Sequence, residues 1–366
     1  MREEHGVDLA TLTTMRVGGP AARLVRVDTT DELVDAVHEV DDADWGPPHE
    51  VGEPLLVLGG GSNLVVADEG FPGTVVRVET TGIQVESDDR CGGANVRVAA
   101  GEPWDDVVAH AVDQGWAGIE ALSGIPGSTG ATPIQNVGAY GQEVAETVAQ
   151  VRVWDRRAGE VRTLFGSDCG FTYRDSGFKR DPTRFVVLDV LFQLRVADLS
   201  EPVRYADLAR SLGVELGTRV PLADARAAVL EQRRRRGMVL DAADHDTWSC
   251  GSFFTNPILS AGDMEALADR VRHRLGDSAP ELPVWPEPDG RRKTSAAWLI
   301  ERAGFEKGFG TPGPAALSDK HTLAVTNRGS ARTADVLALA GEVRAGVETA
   351  FGIRLVNEPV LVGVSL

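Results

Sequence analysis

Residues 124–141 read GIPGSTGATPIQNVGAYG. The segment holds five glycines, two prolines and several small hydroxyl residues, and it has no charged side chain. Such a segment has little to bury, so it is a poor core element. Because glycine lacks the Cβ that keeps a ligand away, the segment is expected to present backbone N–H groups to an anion.

A second glycine patch, Gly59-Gly-Gly-Ser-Asn63, follows the apolar run 55–58 and precedes the β-branched run 64–68. Either loop alone is equally compatible with a tight turn, but two uncharged glycine loops together predict a ligand with an extended pyrophosphate. A Rossmann fingerprint is excluded because Leu64 stands where the third glycine belongs. No P-loop motif occurs in the chain, and a strand–glycine turn–strand pattern points away from doubly wound folds.

The composition limits the partners. The 366-residue chain has a formal net charge of -18, which disfavours nucleic acid and anionic membranes through general repulsion. The N-terminus has no apolar leader, no run approaches the length of a membrane span, and three cysteines without C-x-x-C spacing predict neither disulfides nor a metal site. We therefore expect a cytoplasmic, reduced protein that is not inserted in a membrane. We also expect a monomer, although this does not follow from the composition.

The pattern along the chain predicts an α+β protein. Strand signals at 22–27, 94–100, 148–154 and 185–194 dominate the first part, with a helix beginning at Pro103. Residues 41–54 are acidic and contain proline, which predicts a surface loop. Helix signals dominate beyond a composition change near residue 220, at 221–236, 261–275, 295–302 and 333–351, with strands at 323–326 and 353–364.

Four positions carry candidate chemistry, each with a structural alternative. Arg174 has the planar fork to clamp a carboxylate, or it forms a surface pair with an aspartate. Among the arginines 233–236, one is a candidate for contacting an anionic substrate while the others complement a helix C-terminus. Ser252, followed by two phenylalanines, is a candidate proton donor or a core serine. Glu358 interrupts an apolar strand, so it lies at an edge or takes part in chemistry.

The order of these motifs along the chain resembles that of a known protein family. The chain has TMRVGGP at 14–20, LGGGSN at 58–63, the segment 124–141, YRDS at 173–176, GSFFTNP at 251–257 and NEP at 357–359. This series resembles the UDP-N-acetylenolpyruvoylglucosamine reductase family over about residues 11–363. The resemblance implies a two-part FAD-binding region of the vanillyl-alcohol-oxidase/PCMH type and a C-terminal α+β substrate-binding domain. The implied domains are 1–78, 79–220 and 221–358, with the strand 359–366 a candidate for returning to the first.

The resemblance also implies an activity. It is the NADPH-dependent, FAD-mediated reduction of UDP-N-acetyl-3-O-(1-carboxyvinyl)-glucosamine to UDP-N-acetylmuramate, a peptidoglycan precursor. The implied catalytic residues are Arg174, Ser252 as proton donor, and Glu358. The implied FAD-binding residues are Gly59, Gly60, Gly61, Ser62, Asn63, Ser123, Gly124, Gly127, Ser128, Gly130, Asn136, Gly138, Ala139 and Tyr140.

The implied substrate-binding residues are Tyr173, Tyr205, Arg236, Asn256 and His321. Tyr205 matches the tyrosine loop that covers the UDP-sugar in one subclass of the family. The chain departs from the family at Arg236, where lysine is frequent, and at His321, where glutamine is frequent.

Two other functions remain open from the sequence. One is a different FAD-dependent oxidoreductase of the same flavin-binding superfamily. Such enzymes often hold flavin covalently through His or Cys in the glycine loops, and this chain has neither at 59–63 or 123–141, so we expect non-covalent FAD. The other is a catalytically silent nucleotide-sugar-binding protein, which has no need of both glycine loops.

Overall fold

A computed structural model describes residues 1–43, 54–276 and 280–366. Most of the predicted surface loop 41–54 lies outside these residues, although its first residues continue a helix. Strands and helices are mixed along the chain, and the α+β prediction is confirmed.

The strands are, in chain order, β1 (Arg2–Asp8), β2 (Pro20–Val27), β3 (Leu55–Leu58), β4 (Leu64–Val66), β5 (Phe71–Val78), β6 (Ile83–Asp89), β7 (Gly93–Ala99), β8 (Trp116–Ala117), β9 (Gly138–Ala139), β10 (Gln142–Glu143), β11 (Val148–Asp155), β12 (Glu160–Phe165), β13 (Phe185–Val196), β14 (Ile258–Leu259), β15 (Val284–Pro286), β16 (Arg292–Thr294), β17 (Ala315–Leu317), β18 (Val325–Asn327) and β19 (Val360–Val362). The α-helices are α1 (Thr30–Ala43), α2 (Trp104–Asp113), α3 (Thr132–Gln135), α4 (Gly177–Arg180), α5 (Ala206–Leu212), α6 (Leu222–Arg235), α7 (Ala261–Leu275), α8 (Ala296–Ala303) and α9 (Thr333–Phe351).

The chain forms two compact units. The first unit contains residues 1–8, 20–61 and 71–239, and the second contains 9–19, 62–70 and 240–366. The units do not follow the predicted boundary at residue 220, because α6 belongs to the first unit, where Arg226 pairs with Asp105 of α2 at 2.6 Å. The functional division into 1–78, 79–220 and 221–358 stays a prediction.

The first unit contains a four-stranded sheet in the order β1-β2-β5-β3. The antiparallel edge strand β1 is almost wholly exposed and rich in charge. Ion pairs to its neighbour β2 hold it, Glu3 with Arg23 at 3.1 Å and Glu4 with Arg26 at 2.7 Å. Hydrophobic periodicity does not reveal such a strand.

A larger sheet of the first unit has β13 at its centre, between β11 and β7, with β12 and β6 at the edges and β8 paired to the end of β13. The strand β13 is buried along most of its length, as its continuous apolar sequence predicts. Asp189 interrupts it, and this buried carboxylate is paired with Arg97 at 2.8 Å and Arg152 at 2.6 Å from the flanking strands. The pairing offsets the cost of burying the charge.

The strand β4 of the second unit pairs in parallel with β19. The strand β3 belongs to the first unit, where it pairs with β5. The two runs that flank the glycine patch 59–63 are therefore strands, as predicted, but they do not pair with each other.

The second unit's core is formed largely by the apolar faces of α7, α8 and α9, and Met15 and Val17 pack into it. In the ranges that the structure describes, no helix combines the length and apolarity needed to cross a membrane.

Candidate functional site

The two glycine loops meet within the first unit. The Gly60 N–H donates to Ser128 Oγ at 3.3 Å. A Cβ on Gly60 would lie 2.4 Å from Gly127 Cα, and a Cβ on Gly59 would lie 2.2 Å from Ser128 Oγ. Glycine is required here because the two backbones lie closer together than any side chain allows.

Several N–H groups of the long glycine segment are already used inside the first unit. The Gly124 N–H donates to Asp105 Oδ1 at 2.6 Å. The N–H groups of Thr129 and Gly130 donate to the carbonyls of Glu102 and Ala100 at 2.9 and 2.8 Å. The expectation that the whole segment presents its amides to an anion is wrong at these positions, because the protein itself supplies their acceptors.

Two arginines beside these loops have a buried Nε without a hydrogen-bond partner among the described residues, namely Arg77 and Arg233. Arg77 also donates from Nη1 to the Gly59 carbonyl. A Cβ on Gly124 would lie 3.5 Å from the Arg233 Nε. Buried donors are normally satisfied, so glycine loops flanked by two such cations fit an anionic group such as the diphosphate of FAD.

Burial lowers the pKa of Arg233 to about 10, with Tyr140 and Asp105 acting in the opposite direction and Arg236 adding to the lowering. The guanidinium therefore keeps its charge at neutral pH. The run of four arginines signalled one anion contact, but only the fold reveals that Arg233 is the arginine whose Nε is buried. Arg77 had no signal in the sequence.

Arg174 has an unusual backbone. Its φ is +54°, and φ is also positive at Asn136 (+41°) and Tyr140 (+51°). The left-handed region is disfavoured for arginine and tyrosine, less so for asparagine, and residues that adopt it are concentrated at functional sites. The Arg174 guanidinium donates from Nη2 to the Gly138 carbonyl at 2.6 Å, so it lies against the predicted cofactor loop.

Asn136 and Ser123 shape the glycine segment from within. The Asn136 amide donates to the Thr172 carbonyl and to Glu143 Oε2, each at 2.8 Å, and its Oδ1 accepts the Ala145 N–H at 3.3 Å. The buried Ser123 hydroxyl donates to the Glu120 carbonyl at 2.7 Å. Both side chains therefore have internal partners, and their contribution to a ligand site is the conformation of the loop.

A group of aromatic and basic side chains surrounds Tyr140. Its ring meets that of Tyr205 edge to face at 5.4 Å, and Arg236 Cζ lies 6.0 Å from the same ring. Arg236 pairs with Asp207 at 2.9 Å. Burial raises the pKa of the Tyr140 hydroxyl. Tyr205 is 40% exposed, so the structure leaves it accessible to a ligand.

The second unit brings Ser252 and Glu358 together through the residue that follows the serine. The Phe253 carbonyl accepts the Glu358 N–H at 2.9 Å, and the Phe253 N–H donates to the Leu323 carbonyl at 2.7 Å. Asn63 Nδ2 donates to the Glu358 carbonyl at 3.4 Å. Hydrogen bonds thus link segments at residues 63, 323 and 358 around Phe253, the residue that follows Ser252.

The neighbouring predicted residues of the second unit have defined positions. Asn256 Oδ1 accepts the Ala296 N–H at the start of α8, at 3.0 Å, which leaves its Nδ2 group as a donor. His321 lies in the turn between β17 and β18, where its N–H donates to Ser318 Oγ at 3.3 Å. The Ser62 backbone carbonyl accepts a hydrogen bond from the Thr14 hydroxyl at 3.4 Å.

The predicted site residues divide between the units. The second unit contains Ser62, Asn63, Ser252, Asn256, His321 and Glu358. The first unit contains Gly59, Gly60, Gly61, Ser123, Gly124, Gly127, Ser128, Gly130, Asn136, Gly138, Ala139, Tyr140, Tyr173, Arg174, Tyr205 and Arg236. Each unit therefore gathers its own set of predicted residues.

Two family models match the chain. An FAD binding domain matches residues 21–164. The UDP-N-acetylenolpyruvoylglucosamine reductase, C-terminal domain, matches residues 242–362. The first match confirms the predicted FAD-binding region, and the second falls within the second compact unit.

Comparison with known proteins extends over the whole chain. It is 60% identical to the UDP-N-acetylenolpyruvoylglucosamine reductase of Thermobifida fusca over 366 residues, covering 99% of this chain and 98% of that protein. Identity to the same enzyme of Streptomyces avermitilis is 57%, covering 100% and 96%. The crystal structure of UDP-N-acetylenolpyruvylglucosamine reductase from Thermus caldophilus is similar with a TM-score of 0.64 at 26% identity, covering 99% of both chains. The chain therefore belongs to the UDP-N-acetylenolpyruvoylglucosamine reductase family.

Proposed function

We propose that this protein uses NADPH to reduce UDP-N-acetyl-3-O-(1-carboxyvinyl)-glucosamine to UDP-N-acetylmuramate. Beyond membership of the family, one observation carries the proposal. The hydrogen bond between the Phe253 carbonyl and the Glu358 N–H brings a hydroxyl and a carboxylate into one neighbourhood. Within the family, the product serves peptidoglycan synthesis, and we propose the same role in the cytoplasm here.

The cofactor that we propose is FAD, held without a covalent bond. Bound FAD supplies hydride chemistry between the nicotinamide and the substrate, which no side chain provides. Its diphosphate would meet the glycine loops 59–61 and 124–128, with Arg77 and Arg233 as nearby cations. The loop residues offer amides and hydroxyls, and no His or Cys is present there to form a covalent link.

Arg174 and Glu358 have the proposed task of activating the alkene. The carbon that accepts hydride is electron-poor only if negative charge can grow on the adjacent carboxylate. The proposed role of Arg174 is to stabilise that charge directly as a cation, and the proposed role of a hydrogen-bonded Glu358 is to assist that stabilisation. The guanidinium contact with the Gly138 carbonyl at 2.6 Å would fix the direction of Arg174 before substrate binds.

Ser252 is the proposed proton donor. Hydride addition leaves an enolate carbon that needs one proton, and the serine hydroxyl can donate it. Serine is a weak acid, so it acts only against a strongly basic carbon and with a relay that returns the proton. The position of Ser252 beside the buried Phe253 and Phe254 favours a dry environment for that transfer.

Five residues are the proposed contacts of the UDP-sugar. Tyr205 is proposed to cover the nucleotide, as in the tyrosine-loop subclass, and Arg236 to meet the diphosphate. Tyr173, Asn256 and His321 are proposed as further substrate contacts. Arginine at 236 suits a diphosphate because its planar fork donates two parallel hydrogen bonds.

Activity is tested with the purified full chain loaded with FAD. We expect NADPH oxidation beyond one equivalent per bound FAD only in the presence of the enolpyruvyl substrate, and a product that mass spectrometry finds heavier by two hydrogens. UDP-N-acetylglucosamine, which lacks the alkene, is the matched control. An FAD-loaded protein that oxidises NADPH without regard to this substrate would indicate another flavin-dependent oxidoreductase.

The mode of FAD binding is tested by acid precipitation of the same preparation. We expect all of the yellow colour in the supernatant. Colour retained in the pellet would contradict non-covalent binding, and a protein that takes up no FAD would remove both enzymatic functions.

A further inference from the structure

The loop that presents Arg174 depends on contacts made by residues behind it. Residues 172 and 175 form a tight bridge, in which the Thr172 N–H donates to the Asp175 carbonyl at 3.0 Å and the Asp175 N–H donates back to Thr172 at 3.1 Å. This turn places Arg174 at a φ of +54°. Because an arginine does not favour that conformation by itself, its surroundings must hold it.

Lys179 is the side chain that contacts the strained residue from behind. Its Nζ donates to the Arg174 carbonyl at 3.0 Å and to Gln135 Oε1 at 3.2 Å. One ammonium group therefore ties the Arg174 turn to the end of α3, just before the glycine segment reaches Gly138. The Gly138 carbonyl in turn accepts the Arg174 guanidinium.

The backbone of this segment places Lys179 where it can make these contacts. The Ser176 hydroxyl donates to the Ile134 carbonyl at 2.8 Å and accepts the Lys179 N–H at 3.1 Å, capping α4. The helix is a single turn, so the lysine side chain points back over the residues that precede the cap.

The ammonium group of Lys179 donates to neutral oxygens. Among the described residues, no carboxylate lies within ion-pair distance of its Nζ, and both of its hydrogen-bond acceptors are neutral oxygens. The ammonium therefore keeps its positive charge one hydrogen bond away from the Arg174 backbone carbonyl. This arrangement favours a role in the site over a role in the core.

We propose that Lys179 is a positioning residue for Arg174: it holds the left-handed turn 172–175 against residues 134–138, so that the guanidinium is aimed before the substrate carboxylate arrives. The inference rests on the proposed function of Arg174. It assigns Lys179 no contact with the substrate and no proton transfer.

A double-mutant cycle tests this inference, with Lys179→Met, Arg174→Ala and the combination, each loaded with FAD. We expect Lys179→Met to slow reduction of the enolpyruvyl substrate by about 10²-fold, because small misplacements of a positioned group cost that much. Reduction of the enzyme by NADPH should change by less than about twofold, since that step does not use the guanidinium. In the Arg174→Ala background, Lys179→Met should have almost no further effect.

Two control variants accompany the cycle. Lys179→Arg keeps the charge and the donors and should recover much of the rate. Lys307→Met removes the same charge from an exposed lysine of the second unit and should leave the rate unchanged. Lys179→Gln, which keeps a neutral donor, takes the place of Lys179→Met in the cycle if the methionine variant does not fold.

Hydrogen exchange of the FAD-free protein gives a readout that does not depend on turnover. The peptide containing residues 172–177 should exchange faster in Lys179→Met than in the unchanged chain, and Lys179→Arg should restore its protection. Peptides from the sheet strands should be unaffected.

Several results would overturn the inference. Additive losses in the cycle would mean that Lys179 acts independently of Arg174, and a raised KM with an unchanged kcat would make it a substrate contact. If Lys179→Met were fully active while Arg174→Ala was slow, the inference about Lys179 would be refuted and the proposed role of Arg174 would stand. If Arg174→Ala itself were fully active, the proposed role of Arg174 would fall, and the role of Lys179 with it.

Discussion

Four non-glycine residues adopt a left-handed backbone in the described part of the chain, at Arg16, Asn136, Tyr140 and Arg174. Each costs about 1–3 kcal/mol relative to an unstrained residue. Three of the four belong to the residues that the sequence predicted for the site. Asn136 and Arg174 are held by hydrogen bonds to neighbouring loops, and the Tyr140 ring packs against that of Tyr205, so the surroundings offset the strain.

Arg174→Ala is expected to reduce turnover far more than it weakens substrate binding. The cation matters most as charge grows on the substrate carboxylate, and the loss of such a group costs about 10²–10³-fold in kcat. Steady-state kinetics with the enolpyruvyl substrate measures the two effects separately. Arg157→Ala, at an exposed arginine of the first unit that pairs with Asp181, is the control. Equal changes in kcat and in substrate affinity would mean that Arg174 only positions the ground state.

Arg233→Met is expected to weaken FAD binding by about tenfold or more, because it removes a buried charged donor beside Gly124. Titration of the FAD-free protein, followed by the quenching of flavin fluorescence, measures the affinity. Arg235→Met removes the same charge from an exposed position of α6, where Arg235 pairs with Glu231. If both variants lost FAD affinity to a similar extent, the effect of Arg233 would be a long-range effect of its charge and not a local contact.

At the level of the elements, the local sequence predicted helices and strands where the apolar periodicity was strong. It did not predict strands that are stabilised by charge pairs instead of apolar contacts. The long helices α7 and α9 and the central strand β13 follow their apolar patterns. The strands β1, β6 and β12 were not predicted, because their exposed faces carry charged and polar residues that are stabilised by partners on adjacent strands. Likewise, the sequence marked both glycine loops, but their close approach at Gly60 depends on tertiary packing.

The turn between β11 and β12 provides a pH-dependent test of such a charge pair. Asp155 is fully buried, and Arg184 and then Arg162 hold the pKa of its carboxyl well below the usual value, against the effect of burial. A carboxyl with a lowered folded pKa adds stability above its unfolded pKa of about 3.9, and this stability is lost as the pH falls toward the folded value.

Asp155→Asn should therefore lower the melting temperature clearly at neutral pH, by an amount equivalent to about 2–3 kcal/mol. The difference from the unchanged protein should shrink below about pH 4. Melting curves across that range measure it, with Asp88→Asn, at an exposed position, as the control. A difference that stays constant with pH would show that the carboxylate charge is not responsible.

At the scale of the whole molecule, the electrostatics are uneven. The chain carries a net charge of -18, while its proposed ligands, FAD, NADPH and a UDP-sugar, are all anionic. The local groups Arg77, Arg174, Arg233 and Arg236 provide the exception that such ligands require. The sequence predicted Arg174 and Arg236, whereas Arg77 and Arg233 could be identified only from the fold, because the burial of their Nε atoms and the close approach of the glycine loops depend on tertiary packing.

The separation of hydride transfer from proton transfer is best measured by rapid mixing of the two half-reactions in Ser252→Ala. Reduction by NADPH moves only hydride, so it should remain nearly unchanged. Reoxidation by the enolpyruvyl substrate also needs a proton and should slow by about 10²–10⁴-fold. Ser252→Cys should recover part of that rate, and Ser167→Ala, at an exposed serine, should behave like the unchanged protein. Equal slowing of both half-reactions in Ser252→Ala would contradict the proposed mechanism, make Ser252 a structural residue and leave Glu358 as the next candidate donor.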